Sequence, residues 1–108
     1  MGGRIREATL GNLLDILREG RPVVVDFWAN WCAPCHAMAP IMRRLSKEFG
    51  ERVIFAKVDV ANSRDLAAQF NVRSVPTFVF FKSGKEWDRL TGAKSHKDLR
   101  KVLEKLSS

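Results

Sequence analysis

The stretch Pro22–Cys35, PVVVDFWANWCAPC, decides how the chain is read. Its first half, PVVVDFWA, is a β-branched and aromatic run holding a single charge, the composition of a central strand buried on both faces. Its second half brings two cysteines three positions apart, and they are the only cysteines in the chain. Pro34 suits the first turn of a helix, where a missing N–H goes unnoticed. The periodicity then carries that helix to about Phe49, with Met38, Met42, Leu45 and Phe49 as its apolar stripe and Gly50 as its stop. Pro40 lies inside and is expected to kink it, because its ring crowds the carbonyl of His36. Cys32 therefore falls where a buried strand gives way to a helix.

Upstream, Thr9 is placed to cap a helix over about Leu10–Glu19, with Leu10, Leu13, Leu14 and Leu17 on one face and Gly20 at its end. Downstream, Arg52–Val60 reads as a second strand. Asn62 and Asp65 resemble a capping box for a short helix ending near Phe70. Thr77–Lys82 and Glu86–Thr91 read as a hairpin across Ser83-Gly84-Lys85, with Trp87 in ordinary packing. Ser95 with Asp98 caps a last helix whose core face is Leu99, Val102, Leu103 and Leu106. Strand, helix, strand implies a right-handed parallel crossover, and the hairpin adds antiparallel strands. The expected class is α/β, a mixed sheet with helices on both faces.

A length of 108 residues reads as one domain, 1–108. Apolar residues make up 45 % and charged residues 29 %, a globular balance that needs no disulfide staple. The net charge is +7, but the basic residues are scattered over predicted helix faces and form no run of five. They read as solvated surface that attracts acidic partners, with no nucleic-acid interface expected. No apolar run approaches a membrane span, so no membrane partner is expected either. MGGRIREATL has no apolar stretch behind its basic residues, and Arg6 stands where an acylation start at Met1-Gly2 needs Ser or Thr. The expected setting is the reducing cytoplasm, where a close cysteine pair is catalytic or metal-binding more often than structural.

WCAPCH, Trp31–His36, has four readings: covalent haem attachment, half a zinc site, a structural disulfide, or a redox dithiol. C-x-x-C-H matches the haem pattern, but the pair ends a buried strand, and no export signal accompanies it. Zinc takes about four ligands. Here the candidates are Cys32, Cys35, His36 and the remote His96, and Cys35 and His36 point about 100° apart on a helix. No metal or other cofactor is therefore expected. The redox reading uses every local feature. Cys32 at a helix start lies by free N–H groups that favour its thiolate, whereas Cys35, one turn in, is expected to be more buried and to stay a thiol. One thiolate attacker and one held-back resolver is what disulfide exchange requires.

DFWANWCAPC (26–35), KVDV (57–60), RSVPTFVFFKSG (73–84) and TGAKS (91–95), in this order and spacing, resemble the thioredoxin family, and the resemblance runs from Leu10 to the end of the chain. It implies the thioredoxin fold and a protein-disulfide reductase. Cys32 would attack a target disulfide and Cys35 would release the reduced target; the redox group would be the Cys32–Cys35 disulfide itself, recharged by a thioredoxin reductase. It implies a cis bond before Pro76. A shallow groove of Trp31, Ala33, Pro34, Val75, Pro76, Gly92 and Ala93 would then receive disulfide-bearing targets on a monomer. Trp28 is expected to pack beneath the active-site loop.

Asp26 interrupts an apolar strand. It either faces a polar gap or, with its pKa raised by burial, takes the proton of Cys35. Lys57 is its candidate neighbour, or else it snorkels to the surface. Ala33 stands where the family commonly has glycine, and His36 where it has lysine or arginine. His36 either replaces a permanent charge with a titrating one or is a solvated residue without consequence. The rival functions are an isomerase or oxidant of the same fold and a binding subunit indifferent to its thiols. Ala33-Pro34 between the cysteines, in place of the histidine typical of isomerases, favours the reductase.

Overall fold

The computed structural model describes residues 4–108; Met1-Gly2, where the acylation reading falls, lies outside them. The elements are β1 (Ile5–Glu7), α1 (Leu13–Leu17), β2 (Val23–Trp28), α2 (Ala33–Phe49), β3 (Ile54–Asp59), α3 (Arg64–Gln69), β4 (Thr77–Lys82), β5 (Lys85–Thr91) and α4 (His96–Leu106). They form one five-stranded sheet in the order β1-β3-β2-β4-β5. β1 and β2 run parallel to β3, and β2 with β4 and β4 with β5 run antiparallel, giving the mixed sheet expected.

Because side chains alternate along a strand, the sheet has two distinct faces. Val23, Val25 and Phe27 of β2 join Ile54, Ala56, Val79 and Phe81 in one core, closed by Leu13 and Ile16 of α1 and Leu66 of α3. Val24 joins Phe55, Phe78 and Phe80 in the other, closed by Met38, Met42, Leu45 and Phe49 of α2 and by Leu99, Leu103 and Leu106 of α4. Asp26 and Trp28 share the parity of Val24, and Lys57 shares that of Phe55. The strand charges thus point toward α2, which carries both cysteines.

Several local expectations are corrected. β1 pairs Ile5–Glu7 with Phe55–Lys57, an edge strand too short to show a period. The first helix spans Leu13–Leu17 only: Thr9 O accepts from both Asn12 N and Leu13 N, making a turn of residues 9–12, and Asn12 is the cap. Leu10 and Leu14 are accordingly exposed. The capping box does not form, since Ser63 precedes α3, Asp65 accepts from the Leu66 N–H beside it, and Asn62 donates to Asp59. The hairpin turn holds two residues, Ser83 and Gly84, both at positive φ, and Lys85 pairs with Lys82. Trp87 is exposed on the edge strand rather than packed. Pro40 leaves α2 unbroken through Phe49.

The Ser95 cap does form, accepting the Asp98 N–H at 3.1 Å. Ser95→Ala is expected to lower stability by about 1 kcal/mol, the usual worth of an N-cap, read as a shift of the urea midpoint at unchanged m-value.

Candidate active site

β2 ends at Trp28, and the chain turns through Ala29–Trp31 into α2. Cys32 is the cap residue of that helix, in an extended conformation, with Pro34 in its first turn. The Cys35 N–H donates to Cys32 Sγ at 3.1 Å, so the sulfur occupies the place a capping oxygen would take. Cys32 and Cys35 are joined as a disulfide, with their Cα atoms 5.3 Å apart. The pair was expected to be unequally buried. In this oxidised state both are closed off, Cys32 at 4 % and Cys35 at 5 % exposure, because the bond ties the first sulfur down onto the helix.

Ala29, Trp28, Val60 and Val75 pack around the disulfide. The Val75–Pro76 peptide bond is cis. The Gly92 N–H donates to the Pro76 carbonyl at 2.8 Å, tying the loop after β5 to the one before β4; Gly92, at φ +90°, takes a conformation that a side chain would strain. Trp31 stands out at 74 % exposure beside the disulfide, and Ala33, Pro34 and Ala93 are exposed as well.

Behind the disulfide lies an open cavity of about 400 Å³, whose lining includes Asp26, Trp28, Cys35, His36, Arg43 and Lys57. Asp26 lies opposite Lys57 in the β2–β3 register. Its Oδ1 is buried and has no hydrogen-bond partner among the described residues, and the same holds for Trp28 Nε1. Burial pushes the Asp26 carboxyl up to about 7, against the opposing pull of the Lys57 charge. Lys57 makes no ion pair within the described residues; its Nζ lies over the Trp28 ring, 5.5 Å from the centroid. The Lys57 ammonium thus rests on an indole, beside the acid it faces. The structure thus brings Cys35, Asp26 and Lys57 to one cavity. Sequence reasoning does not reach Arg43 or Asn30, which also lines the cavity; the i, i+7 spacing of His36 and Arg43 on one helix face is the only signal for the former. No cluster of His, Cys, Asp or Glu among the described residues is arranged to hold a metal.

A disulfide capping the helix that follows the central strand of a mixed sheet, with a half-buried acid behind it, defines a thiol–disulfide oxidoreductase. The Thioredoxin family model matches residues 7–105. Thioredoxin C-2 of Corynebacterium nephridii is 40 % identical over 90 residues, 83 % of each chain. The bifunctional thioredoxin reductase/thioredoxin of Mycobacterium leprae is 37 % identical over 97 residues, 86 % of this chain but 21 % of that longer protein. Among solved structures, the thioredoxin of Fasciola hepatica superposes with a TM-score of 0.87 at 44 % identity, covering 94 % of this chain and 98 % of its own. The chain belongs to the thioredoxin family. It is a protein-disulfide oxidoreductase whose redox group is its own cysteine pair.

Proposed function

We propose that the chain is a general disulfide reductase in which Cys32 attacks and Cys35 resolves. The placement of Cys32 as the cap of α2 carries this reading. Once reduced, its sulfur sits at the positive end of the helix dipole, beside the Cys35 amide, and both favour the thiolate. That thiolate attacks one sulfur of a target disulfide, forming a mixed disulfide and expelling the other target sulfur as a thiolate. Cys35, deprotonated, then attacks Cys32 Sγ; the internal disulfide forms and the second target sulfur leaves. Two electrons and two protons pass to the target.

Asp26 is the base that takes the Cys35 proton through the cavity they share, and Lys57 holds the resulting charge in check. Trp31, Ala33, Pro34, Val75, Pro76, Gly92 and Ala93 form the groove for the target. In it the backbone of Val75, ahead of β4, pairs with an extended peptide, the β-augmentation mode of recognition. The chain acts as a single domain and a monomer in reducing cytoplasm. A thioredoxin reductase restores its dithiol, a partnership supported by the M. leprae relative named for both activities.

Equilibration against a dithiol buffer of known potential tests the reading. The benchmark values are about −270 mV for thioredoxins as a class and about −180 mV for disulfide isomerases. The Cys32–Cys35 couple is expected nearer the first; a value at the second replaces the reductase by the isomerase.

A further inference from the structure

We propose that His36 is a positioning residue of the redox site, clamping the loop that carries Cys32 onto helix α2. The inference rests on Cys32 being the attacking thiol. His36 Nε2 lies 2.6 Å from the carbonyl oxygen of Asn30, six residues back and two before Cys32. A carbonyl only accepts, so Nε2 carries the proton of this bond. The imidazole also meets Trp28 edge to face, with centroids 6.4 Å apart. One side chain thus grips both the last residue of β2 and the turn that follows it. Within Ala29–Cys32 the only backbone bond among the described residues is Cys32 N–H to Ala29 O, at 3.1 Å. Val60 N–H to Trp28 O, at 2.9 Å, and His36 N–H to Cys32 O, at 3.2 Å, fix the two ends of this turn, and the side-chain grip on Asn30 holds its middle, ahead of the Cys32 sulfur.

The charges facing the same cavity are Asp26 from β2, Lys57 from β3 and Arg43 from α2, two cations against one acid. The exposed position of His36 makes its replacement harmless to the core.

Glutamine keeps an N–H donor close to the position of Nε2, and alanine keeps none. Iodoacetamide alkylation of Cys32 in the reduced protein, followed up to its high-pH plateau, separates the two. His36→Gln is expected to keep the wild-type plateau rate, and His36→Ala is expected to change it roughly two- to tenfold, the worth of one hydrogen bond. A wild-type plateau in His36→Ala, or one altered plateau shared by the two variants, overturns the clamp. Failure of the underlying reading appears separately, in the wild type alone, as Cys32 alkylating no faster than Cys35.

Discussion

Cys32→Ser is expected to abolish the reduction of protein disulfides, and Cys35→Ser is expected to leave the protein joined to its target. The two cysteines are equally buried when oxidised, so burial does not assign their roles; position on the helix does. Cys32 stands at the cap, where the Cys35 N–H donates to its sulfur, and its neighbours toward solvent are exposed. Cys35 lies one turn inside, facing the cavity with Asp26. A serine hydroxyl at position 32 forms no mixed disulfide, so turnover falls to the background of the uncatalysed exchange. A serine at position 35 allows the first attack but offers nothing to displace the target. The product is then one covalent adduct per chain, cleaved by added dithiol. Mass spectrometry of each variant after incubation with an oxidised target reads both results. An adduct that accumulates on Cys35 in Cys32→Ser reverses the roles, and turnover by that variant removes Cys32 from the reaction.

What the residues announce in advance is governed by local rules, and what they conceal is set by register. The core strands, the helix behind the cysteines and the capped last helix follow from periodicity and capping, which each segment carries within itself. β1 does not: its three residues become a strand only through pairing with Phe55–Lys57, about fifty positions away. The stripe Leu10, Leu13, Leu14, Leu17 mimics a full helix, yet the turn at Thr9–Asn12 takes its first positions, and two of the four leucines face solvent. At the site, the cysteine pair and Pro34 are legible because helix-start chemistry is local. That Lys57 faces Asp26 depends on the β2–β3 register. That Asp26 Oδ1 lacks a partner depends on the cavity α2 leaves open above it. Neither property resides in a motif, and both bear on how the buried acid behaves.

Asp26→Asn is expected to stabilise the oxidised protein at alkaline pH while slowing the resolving step of its reaction. An ordinary aspartate in the unfolded chain titrates near 3.8, and burial lifts the folded group to about 7. Between those values the native state keeps a proton that the unfolded chain has released. The unfolded state binds fewer protons, so unfolding free energy falls as pH rises through this window and levels off above about 7. At 1.36 kcal/mol per unit the full shift corresponds to about 4 kcal/mol, an upper figure because the carboxyl borders an open cavity. Asparagine matches the neutral acid in size and polarity and carries no such penalty. Urea unfolding should give the variant a gain approaching ~4 kcal/mol at pH 8 that vanishes toward pH 4. A gain equal at both pH values would mean that packing, not charge, sets the difference. The activity should move oppositely: with no carboxylate to receive the Cys35 proton, stopped-flow mixing should show release of the mixed disulfide slowed and the initial attack by Cys32 little changed. Stability gained together with an unslowed release removes Asp26 from the chemistry and leaves it only a buried charge.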